Sequence, residues 1–167
     1  ALLPCLASIL CVSIDKIMGY AHNFDPRSHY EEQYNQEAYF WGVQPSTICL
    51  KVLELIPPTR PLKLLDIGCG EGKDAVFFAR CGYTVSAFDI SDAGIEKTKR
   101  LADKGNVYVD VFKANLWDYR LEHKYDILFS SGVLHYLKHE LKSEIFRNYK
   151  EYTQINGINA MHCLVDK

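Results

Sequence analysis

The stretch that decides the fold is Leu64-Leu65-Asp66-Ile67-Gly68-Cys69-Gly70-Glu71-Gly72-Lys73-Asp74-Ala75, residues 64–75. It begins inside a mostly apolar run, 62–67, which predicts a buried strand. Three glycines follow in a G-x-G-x-G pattern, and the residues after them predict a helix over 73–80. Because glycine has no side chain, a ligand can approach the backbone closely at this turn. The stretch therefore predicts a strand, a ligand-binding turn and a helix.

Strands and helices alternate through the rest of the chain. Two helices are predicted within 28–56, the first over 28–40 and the second opening at Pro45-Ser46. Further helices are predicted after Ser91 and over 138–152, and the predicted strands are 62–67, 83–89, 107–112, 125–129 and 159–165. This alternation predicts an α/β, Rossmann-like, doubly wound fold with a mainly parallel sheet. In such a sheet a ligand binds at the carboxyl ends of the strands.

Composition limits the classes of partner. The 167 residues, 48% of them hydrophobic, predict a single domain over 18–167 with its sheet core within 62–165. The formal net charge of −2, without a basic stripe, argues against nucleic acid as a partner. The apolar start of the chain is shorter than the about 20 residues that a membrane span needs, so no membrane partner is expected. Residues 1–17 are interpreted either as an appended leader or as a first helix packed on the domain.

The six cysteines are widely spaced and form no C-x-x-C pair. They are interpreted as reduced thiols of a cytoplasmic protein, although their even number also permits disulfides. No histidine lies at a spacing typical of a zinc site, so no metal ligands are predicted.

The glycine spacing argues against two phosphate-binding motifs. In the dinucleotide motif G-x-G-x-x-G the third glycine would fall at Lys73, where a long side chain crowds the contact between helix and strand. A P-loop needs four residues between its glycines and a hydroxyl residue after the lysine, whereas here Asp74 follows. A nucleoside without phosphates is therefore favoured. Asp89, 19 residues after Gly70, suits a ribose, but it also fits a dinucleotide or a helix cap.

The string L-L-D-I-G-C-G-E-G at 64–72 resembles motif I of class I S-adenosylmethionine-dependent methyltransferases. The resemblance covers about 30–165 and is strongest over 62–90 and 124–137. It implies S-adenosyl-L-methionine as the cofactor, bound by Asp66, Gly68, Cys69, Gly70, Asp89, Ile90, Asn115, Leu116 and Ser130. For Asn115 it implies recognition of the adenine amino group, while a local turn is the competing interpretation.

Two further segments extend the resemblance. The segment Y-N-Q-E-A-Y-F-W-G-V-Q-P-S, 34–46, is similar to the lead-in of small bacterial members of the tellurite-resistance and thiopurine methyltransferase type. It implies Tyr34 and Trp41 as residues that cover the cofactor, or else as aromatics that pack the helices on the sheet. The region 124–137 resembles motif IV, in which Asp126 is structural. Beyond it, His135 is the candidate general base and Tyr136 a candidate acceptor-pocket residue, and the alternative for His135 is a partly exposed histidine at the start of a helix.

The predicted function is transfer of a methyl group to a small-molecule acceptor by in-line displacement. One alternative is a catalytically silent module that binds the same cofactor and acts through a partner. A less favoured alternative is an NAD-dependent oxidoreductase, which Asp89 permits and Lys73 opposes. The usual sheet of this class has seven strands, so the chain is expected to lack the last two. Its exposed sheet edge then predicts a homodimer.

Overall fold

The computed structural model describes residues 25–163. The interpretation of residues 1–17 falls outside this range, and the predicted domain, 18–167, extends beyond it at both ends. In chain order the elements are α1 (Pro26–Tyr34), α2 (Thr47–Leu55), β1 (Lys63–Ile67), α3 (Lys73–Cys81), β2 (Thr84–Asp89), α4 (Asp92–Lys104), β3 (Asp110–Lys113), β4 (Tyr125–Ser131), a 3-10 helix (Leu134–Tyr136), α5 (His139–Glu151) and β5 (Thr153–His162).

The five strands form one sheet in the order β3-β2-β1-β4-β5, and every neighbouring pair is parallel. This confirms the predicted doubly wound α/β class. The strand order reverses at β1, because the chain continues to β2 on one side of it and later returns to β4 on the other side. The carboxyl end of β1, where the glycine turn begins, is therefore the switch point at which such sheets bind ligands.

The core lies on both faces of the sheet. Leu64 of β1 belongs to a buried cluster with Phe78 of α3 on one face, whereas Leu65 packs with Phe88 and Ile145 on the other. Successive side chains of a strand point to opposite faces, so a strand covered by helices on both sides must be apolar along its whole length. This arrangement fixes the end of β1 and holds the glycine turn in place.

Most predicted elements are confirmed, and two of the helices have recognisable cap residues. Gly82 ends α3 at φ 102°, and the Ser91 hydroxyl caps α4 by accepting a hydrogen bond from the Gly94 N–H. Among the described residues, Cys49, Cys69, Cys81 and Cys163 are free thiols. No helix within 25–163 is long and apolar enough to cross a membrane.

Several predicted boundaries are wrong, and the largest differences are in the first helix, the third strand and the fifth strand, which also ends at His162 and not at residue 165. The first helix ends at Tyr34 and not at residue 40, since Asn35 caps it through the Glu31 carbonyl. The third strand begins at Asp110 and not at residue 107. The fifth strand begins at Thr153 and not at residue 159, because an irregularity in its pairing with β4 keeps the polar stretch 154–157 inside the strand.

Candidate cofactor site

A cavity of about 240 Å³ lies at the carboxyl ends of the central strands. Its lining comes from the glycine turn, from the residues after β2, β3 and β4, and from α1 with the segment that follows it. The sequence-predicted residues that line it are Tyr34, Trp41, Asp66, Gly68, Cys69, Gly70, Asp89, Ile90, Asn115, Leu116 and Tyr136. Residues predicted from distant parts of the sequence thus meet in one cavity.

At positions 68 and 72 of the turn, both the backbone conformation and the lack of space favour glycine. Both residues have a positive φ, 71° at Gly68 and 84° at Gly72, which favours glycine. A Cβ atom at Gly68 would also lie 2.6 Å from the Val133 side chain, and one at Gly72 would lie 2.6 Å from the Thr98 side chain. The turn therefore fits closely between the 3-10 helix region and α4.

Asp89 lines the cavity and fixes the glycine turn to the end of β2. Its Oδ2 accepts a hydrogen bond from the Gly70 N–H at 2.8 Å, and its Oδ1 accepts one from the Ser91 N–H at 3.0 Å. Burial raises the pKa of this carboxyl, although the backbone N–H groups oppose that shift. Each carboxylate oxygen has a second lone pair, so Asp89 can still accept hydrogen bonds from two ligand hydroxyls. The residue that caps the following helix, α4, is Ser91 and not Asp89.

Asp66, at the end of β1, is the most unusual carboxyl group of the cavity. It is only 2% exposed, and its Oδ2 has no hydrogen-bond partner among the described residues. Burial raises its pKa well above the ordinary value, and the nearby carboxylates of Asp74 and Asp89 add to the shift. A buried polar atom without a partner is costly, so a ligand that donates a hydrogen bond here would be favoured.

Tyr34 and Trp41 close one side of the cavity together. The Trp41 indole N–H donates to the Tyr34 hydroxyl at 3.0 Å, and the Tyr34 ring stacks on Tyr30 with centroids 5.5 Å apart. Tyr34 is buried, which raises the pKa of its hydroxyl, whereas Trp41 is 49% exposed. Tyr34 thus packs as a core residue and Trp41 is a partly exposed residue of the lining, and their role in covering the cofactor stays a prediction.

Asn115 lines the cavity but uses its side chain in a local turn. Its Oδ1 accepts from the Trp117 N–H at 3.0 Å, and its Nδ2 donates to the Asp118 carboxylate at 2.9 Å. This is the Asx turn that competed with the adenine-binding interpretation. The lone pair that remains on Oδ1 is still available to a ligand.

Some residues at the end of β4 and just after it line the cavity, and others do not. Tyr136 lines the cavity, and its hydroxyl lies 3.0 Å from the Tyr30 hydroxyl. His135 lies outside the lining, and its ring packs against the Tyr136 ring with centroids 4.0 Å apart. Ser130 also lies outside it, since its hydroxyl is buried and donates to the Ile67 carbonyl; the next residue, Ser131, lines the cavity instead.

Sequence reasoning missed a polar cluster in the lining. Lys73 Nζ donates to the Ser46 hydroxyl at 2.6 Å and lies 3.2 Å from the Asp74 carboxylate. The Asp74 carboxylate also accepts hydrogen bonds from the Ser46 N–H and hydroxyl. The available signal was Lys73, which stands where a dinucleotide-binding turn needs glycine. Within residues 25–163, no group of three His, Cys, Asp or Glu side chains could hold a metal ion.

Comparison with known proteins identifies the family. The family model of the tellurite resistance protein TehB matches residues 28–166. The chain belongs to the TehB family. The probable S-adenosyl-L-methionine-dependent methyltransferase TehB of Haemophilus influenzae is 28% identical to it over 101 residues, which are 60% of this chain and 35% of that protein. A ubiquinone biosynthesis O-methyltransferase of Rickettsia canadensis is 26% identical over 97 residues, 58% of this chain and 40% of that protein.

Solved structures have the same fold as this TehB-family chain. The crystal structure of TehB from Haemophilus influenzae matches with a TM-score of 0.64 at 24% identity, over 80% of this chain and 43% of that chain. An S-adenosylmethionine-dependent methyltransferase from Thiobacillus denitrificans, crystallised with S-adenosyl-L-homocysteine, matches with a TM-score of 0.60 at 17% identity, over 83% of this chain and 55% of that chain. This TehB-family chain thus spans between a third and about half of the length of these proteins.

Proposed function

We propose that the chain binds S-adenosyl-L-methionine and transfers its methyl group to a small-molecule acceptor. The observation that carries the proposal is the buried Oδ2 of Asp66 beside the glycine turn, which has no hydrogen-bond partner among residues 25–163. Membership of the TehB family supports it, as do the names of the relatives given above. The activity of the whole protein is part of the proposal, because the chain spans only 35% of the Haemophilus relative.

The residues present fit this cofactor better than a phosphate-containing one. Asp66 suits the ammonium group of the methionine portion, and Asp89 suits the two ribose hydroxyls. The bare backbone at Gly68 and Gly70 allows the close approach that the methionine portion needs. A pyrophosphate at the same turn would face the carboxylates of Asp66 and Asp89, while the nearby ammonium of Lys73 is already bound by Asp74. The charge of the site therefore opposes an NAD-dependent oxidoreductase.

The protein's contribution to the reaction is alignment and exclusion of water. The bound cofactor supplies a methyl group activated by its sulfonium, so the chain need not supply a nucleophile. Holding two reactants in a reactive geometry contributes roughly 7–11 kcal/mol to lowering a barrier. Tyr30 and Tyr136 join α1 to the 3-10 helix through their hydroxyls and thereby cover the acceptor side. His135 lies outside the lining, so acceptors that need no general base, such as soft anions, fit best.

Calorimetry with S-adenosylhomocysteine and NAD tests the proposal. We expect the homocysteine adduct to bind and NAD not to bind. Asp66→Asn keeps the shape of the side chain and removes the charge, so it should weaken binding of the adduct because the ammonium loses its carboxylate partner. Tight NAD binding without binding of the adduct would contradict the proposal.

A second candidate function is a silent module that binds the same cofactor and acts through a partner. The position of His135 outside the cavity lining favours it, since the predicted general base is then missing from the reacting centre. Binding of S-adenosylhomocysteine together with inactivity on a broad panel of thiol, amine and carboxylate acceptors would support this module. Methyl transfer to any of these acceptors would exclude it.

Two other expectations stay predictions. The free thiols within residues 25–163 are consistent with a cytoplasmic protein. The strand β5 lies at the edge of the sheet, and pairing of two such edges would give a homodimer. Sedimentation at several concentrations tests the dimer, and a monomer throughout would contradict it.

A further inference from the structure

Two buried residues of opposite charge hold the segment 38–41, which follows α1 and leads to the cavity. Lys97 lies on α4, and Glu71 lies in the glycine turn between Gly70 and Gly72. Lys97 Nζ is 2.8 Å from Glu71 Oε1, and their side chains are only 4% and 1% exposed. The pair is therefore almost completely removed from water, unlike the exposed ion pairs elsewhere on the molecule.

Every residue of the segment contacts this pair. The Glu71 carboxylate accepts hydrogen bonds from the backbone N–H groups of Phe40 and Trp41, both at 3.1 Å. Lys97 Nζ donates to the Ala38 carbonyl at 2.6 Å and lies 5.1 Å from the centroid of the Tyr39 ring. The pair thus holds the backbone at Ala38, Phe40 and Trp41 and contacts the ring of Tyr39.

The stability of the fold does not by itself explain why a buried ion pair occupies this place. Removing two charges from water costs several kcal/mol for each ion, and a buried pair is often no more stabilising than apolar residues of the same size. What apolar residues could not do is bind the backbone N–H and carbonyl groups of 38–41. Those bonds define where the segment lies relative to the glycine turn, because Glu71 is itself part of that turn.

Trp41 is the last residue of the segment and the one that reaches the cavity. Its backbone N–H is held by Glu71, and its indole N–H is held by Tyr34. The Tyr34 hydroxyl lies beside Gly70, 2.9 Å from the position that a Cβ atom there would take. The position of this aromatic pair against the turn therefore depends on the buried charges.

We infer that Glu71 and Lys97 are positioning residues that fix Trp41 and Tyr34 over the cofactor end of the cavity. Lys97 does not line the cavity and acts through Glu71 and the segment 38–41. The inference rests on the proposed function only in naming the ligand that these residues help to hold. The position of Trp41 is a property of the chain and can be measured without any ligand.

The test compares Lys97→Met with Lys99→Met. Lys99 lies on the same helix but forms an exposed pair with Glu96, with side chains 52% and 60% exposed, so its replacement is the matched control. Affinity for S-adenosylhomocysteine is measured by calorimetry. Trp41 emission is measured in a Trp117→Phe background, which leaves Trp41 as the single tryptophan, since the sequence has 2. For Lys97→Met we expect a Kd raised about tenfold or more and a red-shifted Trp41 emission; Lys99→Met should change neither.

A double variant separates positioning from stability. In Lys97→Met with Glu71→Met both charges are gone, so the penalty of one unpaired buried charge disappears and the melting temperature should recover. The backbone of 38–41 still lacks its partners, so the affinity should stay low and the emission red-shifted. If the melting temperature, the affinity and the Trp41 emission all recover, the pair serves only the stability of the fold and the inference is overturned. If Lys97→Met does not fold, the Kd of S-adenosylhomocysteine and the Trp41 emission are measured on Glu71→Gln instead, and the same changes are expected.

The outcomes also separate this inference from the proposed function. If the unmodified chain does not bind S-adenosylhomocysteine, the proposed function fails, and the Trp41 emission of the variants still decides the positioning role. If the unmodified chain binds the adduct and a folded Lys97→Met variant has the same Kd and the same Trp41 emission, the inference is wrong while the proposed function stands.

Discussion

Replacing Asp89 with alanine tests the centre of the site, because this carboxylate serves the fold and the ligand at once. In the fold it accepts hydrogen bonds from the buried N–H groups of Gly70 and Ser91 at 2.8 and 3.0 Å. Leaving a buried donor without a partner costs about 1–3 kcal/mol, so the two donors together predict a loss of about 2–6 kcal/mol in the free energy of unfolding. A domain with a stability of about 5–15 kcal/mol can tolerate much of this range.

The effect on the ligand is separate. Two ribose hydroxyls that donate to a charged group contribute about 1.5–3 kcal/mol each, so their loss raises the Kd of S-adenosylhomocysteine by more than about 100-fold. Urea denaturation measures the stability and calorimetry measures the Kd. Asp92→Ala is the control, since Asp92 is 69% exposed and pairs with Lys113 on the surface, and its loss should change stability by less than about 1 kcal/mol. A folded Asp89→Ala variant with unchanged affinity would refute the ribose role and leave Asp89 only as the residue that holds the turn.

Three further predictions follow from individual groups. Burial raises the pKa of Asp66 in the folded state, so the folded chain binds more protons than the unfolded chain and loses stability as the pH rises above the ordinary value of 3.8. Asp66→Asn should therefore raise the free energy of unfolding at neutral pH. If this gain in stability does not shrink as the pH falls toward 3.8, the reasoning is wrong. Gly68→Ala should lower the free energy of unfolding in urea more than Gly42→Ala does. Both glycines have a positive φ, but only at Gly68 would an added Cβ lie 2.6 Å from the Val133 side chain. Equal losses of stability would show that backbone strain alone is responsible. Ser130→Ala should cost about 1 kcal/mol of stability, because it removes the hydrogen bond to the Ile67 carbonyl, and it should leave the Kd of S-adenosylhomocysteine unchanged. A raised Kd without a loss of stability would instead indicate that Ser130 contacts the ligand.

The glycine turn and the sheet around it were predictable because their signals are local. An apolar run buried on both faces, followed by glycines that must have a positive φ, specifies a strand and its turn within residues 62–72. Alternation of strands and helices then specifies parallel strands, and parallel strands bring their carboxyl ends to one edge of the sheet. For this reason Asp66, Asp89 and Asn115 could be placed beside one cavity from their positions at or just after the carboxyl ends of three different strands.

Other features could not be read from local signals. The stretch 154–157, Gln-Ile-Asn-Gly, resembles a loop, and it belongs to a strand only because the residues on either side of it, Thr153 and Ile158, pair with β4. The same holds for Ser130 and Ser131, since successive residues of a strand face opposite sides and the sequence does not say which serine faces the cavity. The positive φ of 66° at Asn156, in the irregular part of β5, likewise depends on that pairing.

The sequence by itself determined the fold class, the switch point at the end of β1 and the carboxylates that surround it, because each depends on residues close together in the chain. Only the tertiary structure decided which side chains complete the cavity and what holds them there. Glu71 and Lys97 are 26 residues apart, and the backbone groups that they bind lie some 30 residues or more before them. A charge in a turn and another on a helix have no sequence signature as a pair. They become a pair because folding removes both from water and leaves each as the other's partner.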